Sequence, residues 1–334
     1  MSSDARSAAH AVHRVTLATG GADDSDDLLR AGLAAEPKRV PNRFNYDLAG
    51  SALYEEIVRL PDYYPPLAER RLLDACGDDI VSVAGITTVI DLGAGNAEKT
   101  EHLLQCVDRH AGLAAYTAID VSAEPTVSAA QRIQQRWPDA TVTAIHGDFL
   151  PALRWLRGRG RHRLLALLGS TYGNLSIPER RRLLDALRQA GDTDDRFLLC
   201  LDLNEPADAV ERAYSAGYDG KRPVRRMFAL NCLTHLNRRY RADFDLDAFR
   251  PEITYDQEGR DVRAVLRSTR PQTVRLARLG LEVAFAEGEP MLHDVLHKFT
   301  VPELVAEVEQ ACFQHETHWV EAEHQYAAFL FSFR

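Results

Sequence analysis

Between residues 87 and 203, short apolar runs alternate with longer stretches that are apolar on one face only. The run 87–92, TTVIDL, is short, partly β-branched and closed by glycine, which predicts a buried strand. Further strands are predicted over 116–120, 140–145, 164–169 and 197–203. The run 164–169 is nearly pure Leu and Ala, as suits a strand covered on both faces. Helices are predicted over 66–84, from residue 97, over 123–137 with Val127, Ile133 and Trp137 inward, and over 178–189. Strands separated by helices give a parallel, doubly wound α/β sheet.

The pattern breaks at about residue 204. Two helices, over 206–218 and 222–239, precede strand-like segments over 253–255, 262–267, 273–276 and 281–285. Several short strands in succession mark a second architecture. Near residue 300 the first style returns, with an amphipathic helix over 301–312 and strands over 318–320 and 327–333 that close the first sheet as an antiparallel pair. The expected organisation is an α/β domain of residues 1–203 and 298–334, interrupted by an inserted α+β substrate-binding domain over 204–297. Ahead of the sheet, the first dozen residues read as mobile, and a short helix over 28–35 ends at Pro37. The stretch 41–65, PNRFNYDLAGSALYEEIVRLPDYYP, gathers Phe44, Tyr46, Tyr54, Tyr63 and Tyr64 around a helix expected to begin at Gly50-Ser51.

Composition narrows the function classes. A net charge of −9 argues against nucleic-acid binding, which needs a basic surface. The one basic run, RWLRGRGRHR at 154–163, reads as a solvated loop. Five scattered cysteines suit buried thiols in a reducing compartment rather than a disulfide framework. No apolar run approaches the ~18 residues of a membrane span, and the N-terminus lacks the order of a signal peptide. A cytoplasmic monomer with no membrane or nucleic-acid partner is expected. Cys312, His315 and His318 have metal-like spacing, and His293 and His297 are four apart. The segment 291–299 suits a strand, which would not align an i,i+4 pair, so no metal is expected.

The chemistry gathers at strand ends. In DLGAGNAEKT, Gly93 and Gly95 allow a close backbone approach, and Glu98 falls in the first turn of the helix that follows. Asp120 ends the next strand, where an acid reaches ribose hydroxyls. Gly147-Asp148-Phe149 follows the third strand, with an acceptor for an adenine amine and a ring to stack on. Gly169-Ser170-Thr171 follows the fourth, with Asn174 just beyond. Four such sites on one sheet edge predict a nucleoside-containing cofactor. Glu98 replaces the third glycine of a dinucleotide fingerprint, and no phosphate-loop motif is present. Asp91, just before the glycines, suits a cationic ligand. The pattern resembles S-adenosylmethionine-dependent methyltransferases, whose cofactor is a sulfonium with an amino-acid tail that Lys99 could meet.

From about residue 28 onward the chain resembles one family, the histidine Nα-methyltransferases of ergothioneine biosynthesis. The landmarks are FNYDLAGSALYEEIVRLPDYYP, DLGAGNAEKT, GDFL, LLGSTYGNLS, the Ala213-Tyr214 region, ADFDLDAF and GEPMLHDVLHKF. The resemblance implies a Rossmann-like class I methyltransferase fold with an inserted second domain. It implies that Gly93, Lys99, Asp120, Asp148 and Phe149 bind S-adenosyl-L-methionine; Thr171 joins them as a candidate by its place after the fourth strand. It implies that Asn174 and Tyr214 hold the α-carboxylate of a free amino acid, that Tyr46 lies beside its α-amine, and that Tyr63 reaches its side chain. The family grips the imidazole with an acid and a serine spaced E-x-S; here those positions are Asp294 and Leu296. In an extended segment both project from one face. Losing the serine removes a polar partner, worth ~1–3 kcal/mol if a buried nitrogen is left unpaired. The acceptor is therefore histidine, or another amino acid with a larger or more apolar side chain, or an amine-containing natural-product intermediate. The implied reaction is transfer to a neutral α-amine, repeated to a trimethylated betaine, with Tyr46 and Asn174 orienting the amino acid.

Overall fold

The computed structural model describes residues 11–17, 22–82 and 85–334. The chain opens with strand β1 (His13–Thr16), helix α1 (Ala22–Leu33), the two-residue strand β2 (Lys38–Arg39), and helices α2 (Leu48–Ile57) and α3 (Pro65–Ser82). Strict alternation follows: β3 (Thr88–Leu92), α4 (Glu98–Ala111), β4 (Ala115–Asp120), α5 (Ala123–Arg136), β5 (Thr141–His146), α6 (Phe149–Leu156), β6 (Arg163–Leu167), α7 (Ile177–Ala190) and β7 (Arg196–Asp202). Next come α8 (Ala207–Ser215), α9 (Val224–Tyr240), β8 (Phe249–Asp256), β9 (Asp261–Ser268), β10 (Gln272–Leu276), β11 (Leu281–Phe285) and β12 (Pro290–His297). The chain closes with α10 (Val301–Gln310), β13 (Phe313–Glu321) and β14 (Tyr326–Phe333).

The large sheet has the order β1-β5-β4-β3-β6-β7-β14-β13. Its members from β1 to β7 pair in parallel, and β14 pairs antiparallel with both β7 and β13. The α/β reading and the closing antiparallel pair hold. Apolar residues are buried on both faces of the sheet. Leu72, Leu103, Leu104 and Ile133 pack on one face, and Leu153, Leu183, Leu184 and Leu304 on the other. Strand order reverses between β3 and β6, which puts the crevice for a ligand at the end of β3.

Five strands of the region beyond β7 form separate small sheets. One runs β2-β12-β9-β8, and β10 pairs with β11. The second unit is therefore not closed by residues 204–297 alone. Leu29, Leu33, Val40 and Phe44 share a core with Leu233, Leu236, Phe249 and Leu266, and β2 pairs with β12. The apolar faces of α9 and β9 are covered by residues 29–44, which lie in sequence between β1 and β3 of the large sheet.

Three local expectations change. Helix α2 begins at Leu48, before Gly50-Ser51, because Asp47 caps it and accepts from the Gly50 amide at 2.8 Å. Arg163, read as part of a solvated loop, is 2% exposed. It pairs with Asp195 and donates to the carbonyls of Leu156, Arg159 and Ala190, so its donors are met inside the protein. Strand β1 was not foreseen; four residues are too few for an alternation to show. The mobility expected for the first dozen residues concerns mainly residues 1–10, which lie outside the described residues.

Candidate functional site

The end of β3 turns sharply. Gly93 (φ 84°) and Gly95 (φ 52°) take left-handed conformations before α4 starts at Glu98. A side chain added at Gly93 would place its Cβ 3.6 Å from Phe149 and 4.0 Å from the Thr171 hydroxyl, so these three residues converge on one point. Asp120 holds the turn: its carboxylate accepts from the Gly95 amide at 2.9 Å and the Ser122 amide at 2.8 Å. Asp148, which precedes α6, accepts from Arg43 at 3.2 Å. Lys99 pairs with the fully buried Glu69, which also accepts from the Gly169 amide at 2.6 Å and from the Tyr326 hydroxyl at 2.9 Å. Burial opposes the charge on Lys99, but Glu69 outweighs it and the ammonium's pKa is raised. Gly93, Lys99, Asp120, Asp148, Phe149 and Thr171 all line one open cleft.

Asp91 lines the same cleft, where its carboxylate is also held by protein donors. It is 1% exposed, and it accepts from Tyr116 at 3.1 Å and from Thr100. Burial pushes its pKa up to about 6 against those hydrogen bonds. The acid thus ties β3 to α4 and β4 through one oxygen while it lines the cleft.

A smaller, aromatic-walled cavity adjoins the cleft. Tyr63, Tyr214 and Leu296 line the cavity, and Tyr46, Asn174 and Asp294 line both spaces. Antiparallel register sets Asp294 opposite Ala264 and Leu296 opposite Val262, and all four line the cavity. The one-face expectation for residues 294 and 296 therefore holds. Asp294 Oδ1 accepts from Asn42 at 2.5 Å and from Asn174 at 2.9 Å, and burial lifts its pKa to about 6. The Asn174 amide also donates to the Val295 carbonyl at 3.1 Å. Leu296 is buried so close to Gly173 that a Cβ there would lie 2.7 Å from it.

Tyr214 donates to Asp202 at 3.3 Å, and Asp202 also accepts from Tyr64 and pairs with the buried Lys298. Tyr63 meets Tyr214 edge-on at 5.5 Å. Tyr46 packs edge-on to Tyr54 at 5.5 Å and Phe228 at 5.6 Å. Burial, then Tyr54, hold its pKa well above the ordinary phenol value, so it stays protonated at neutral pH.

Sequence reasoning missed several neighbours. Arg43 and Asn42 lie between β1 and β3 in sequence and are carried onto Asp148 and Asp294 by the fold. His293, considered only as half of a metal pair, is 2% exposed and lines both spaces. Asn45 donates to its carbonyl at 2.9 Å, which leaves Asn45 Oδ1 to accept from His293 Nδ1 at 3.2 Å. His293 Nε2 is thus an acceptor with no protein partner. Burial pushes the pKa of this imidazole down to about 4, so it is neutral. His297 instead bonds Asp261 and Glu303 at 2.8 and 3.1 Å. Arg225 lines the small cavity as well, and no motif pointed to it.

Comparison with known proteins adds a second line. A family model described as histidine-specific methyltransferase, SAM-dependent, matches residues 25–333. The chain is 38% identical over 291 residues to the histidine N-alpha-methyltransferase of Mycolicibacterium smegmatis, covering 87% of this chain and 89% of that protein. It is 34% identical over 311 residues to the protein of the same name from Mycobacterium tuberculosis, covering 92% and 95%. It is also 30% identical over 237 residues to the 4-dimethylallyltryptophan N-methyltransferase of Trichophyton verrucosum, covering 68% of each.

Proposed function

The chain belongs to the histidine-specific, S-adenosylmethionine-dependent methyltransferases, and on that premise we propose that it methylates the α-amine of free L-histidine, through to the trimethylated betaine. The observation that carries this reading is the shared wall of the two spaces: Tyr46, Asn174 and Asp294 line both the cleft and the cavity. An amino acid seated in the cavity would therefore meet the cofactor cleft at these side chains.

The cleft suits the cofactor. Gly93 leaves room that a Cβ would fill, Phe149 offers a ring face, Asp120 and Asp148 offer acceptors, and Lys99 offers a donor for a carboxylate tail. When bound, S-adenosylmethionine supplies a methyl group on a sulfonium. The work left to this chain is positioning. Tyr46, kept protonated by burial, orients the amine through its hydroxyl and is no base; the amine's proton passes to water. Asn174 fixes Asp294, and Asp294 accepts from an N–H of the substrate side chain. Leu296, on the same face of β12 as Asp294, walls that side chain. The reading carries with it a cytoplasmic protein acting on a free amino acid.

Leu296 supports a second reading. Where the family's pattern has serine this chain presents an apolar wall, and Tyr54, Tyr218 and Phe228 line the same cavity. That lining suits a larger aromatic amino acid such as tryptophan; the fungal relative is named for a substituted tryptophan. Incubating the protein with methyl-labelled S-adenosylmethionine and each standard amino acid, read by mass, tests both. Methyl gain on histidine supports the first reading and gain on tryptophan the second, whereas no gain on any free amino acid sinks both. Asn174→Ala is expected to keep cofactor binding by calorimetry and lose transfer; unchanged turnover would remove Asn174 from the site.

A further inference from the structure

An amino acid presented for methylation at nitrogen carries its carboxylate on the next carbon. Taken out of water, that carboxylate needs strong donors or a cation. The two residues that resemblance offers for it have their donors engaged elsewhere. Both hydrogens of the Asn174 amide have protein acceptors, Asp294 Oδ1 at 2.9 Å and the Val295 carbonyl at 3.1 Å. The Tyr214 hydroxyl donates to Asp202 at 3.3 Å. His293 presents a bare acceptor, and Asp294 is an acid.

Arg225 is the cationic side chain that lines the small cavity. Its guanidinium carbon lies 4.4 Å from the ring centre of Tyr63 and 5.5 Å from that of Tyr214. One terminal nitrogen donates to the Ala213 carbonyl at 3.3 Å. The Nε–H is buried with no hydrogen-bond partner, and among the described residues no carboxylate forms an ion pair with this side chain. Its place in the first turn of α9 does not favour the helix, because a cation there opposes the dipole and the turn holds no acid to offset it. A partly buried cation with an unmet donor, in a cavity that also holds an acid, is a pair of opposite poles.

We infer that Arg225 receives the α-carboxylate of the amino-acid substrate, an assignment that rests on the amino-acid methyltransferase reading above. The carboxylate lies at the Tyr63–Tyr214 edge of the cavity, with the substrate side chain directed to Asp294. Arg225 is thus a specificity residue that distinguishes a free amino acid from an amine lacking a carboxylate.

The test compares histidine with histidinamide, or whichever amino acid is methylated with its amide, in wild type, Arg225→Gln and Arg225→Lys. In Arg225→Gln the KM for the amino acid is expected to rise roughly 10- to 100-fold, the size of losing one charge-assisted contact. Its kcat should change far less, and kcat/KM for the amide should hardly move. Arg225→Lys should recover part of the preference. Calorimetry with S-adenosylmethionine should give the wild-type affinity in both variants, which reports an intact fold. An unchanged preference for the amino acid over its amide overturns the assignment, and so does an equal loss on both compounds. A wild-type protein that methylates no free amino acid overturns the underlying reading, and the assignment falls with it.

Discussion

At the scale of single residues, the site depends on what burial does to ordinary groups. Asp294 sits in a cavity that raises its pKa to about 6, so its carboxylate is ionised at pH 7 and protonates as the pH falls below that value. If it accepts a substrate N–H, the loss on acidification is intrinsic to this residue. The ratio of kcat/KM for wild type over Asp294→Asn should therefore fall as pH drops through about 6, while the substrate's own titration cancels in the ratio. A flat ratio from pH 5 to 8 would deny Asp294 that role. Gly93 makes a sharper case. Alanine there would add a Cβ beside Phe149 and Thr171 and would have to hold φ at 84°. Gly93→Ala should cost about 1 kcal/mol of stability from the left-handed backbone. It should also weaken S-adenosylmethionine at least ~10-fold by filling the approach to the turn. Calorimetric affinity beside a denaturation curve separates the two effects.

At the scale of elements, α2 delivers the wall that carries Tyr54 and follows directly on Tyr46. Its cap does more than end a helix. Asp47 accepts from the Gly50 amide at 2.8 Å and from Asn231 and Arg238 of α9 at 2.7 Å each. Burial raises its pKa, but these partners together outweigh that and hold the carboxyl below its usual range. A depressed folded-state pKa gives stability that is present above the ordinary value and lost as pH falls through the depressed one. Asp47→Ala should cost ~1–3 kcal/mol at pH 7, combining a lost cap with the orphaned donor of buried Asn231. The cost should shrink on acidification, read as the urea midpoint at pH 7 and pH 3. A cost independent of pH would show that packing, not the charge, holds α2 to α9.

At the scale of the whole molecule, the two units are joined where β12 leaves the small sheet. Lys298 follows β12 directly and is fully buried, where it pairs with Asp202 at the end of β7 and donates to Tyr64 at 3.0 Å. Leu203 also bridges to Phe299. This contact fixes the wall carrying Asp294 and Leu296 against the edge carrying Asn174. Removing one partner of a buried pair leaves the other charge uncompensated, so Lys298→Ala should cost ~3–5 kcal/mol. Equilibrium denaturation measures it, and a loss below ~1 kcal/mol would show that water or Tyr64 can replace the ammonium.

The sequence by itself determined the parallel sheet, the second architecture beyond residue 204 and the strand-end positions Gly93, Asp120, Asp148 and Thr171. It could do so because the period of apolar residues records which faces are buried, and because a glycine turn after a strand is a local event. The face shared by Asp294 and Leu296 was legible for the same reason. Only the tertiary structure decided the partners. Arg43 on Asp148, Asn42 on Asp294 and β2 on β12 join residues more than a hundred positions apart. Nothing in the local pattern marks such pairs, since they depend on which segments the closed core brings into contact. The same holds for charge. Asp91 and Lys99 both line the cleft, but only the fold shows that the first is also held by Tyr116 and Thr100 and the second by Glu69. Arg225, an unremarkable arginine in a basic stretch, became the cation of the cavity only when α9 was set beside Tyr63 and Tyr214.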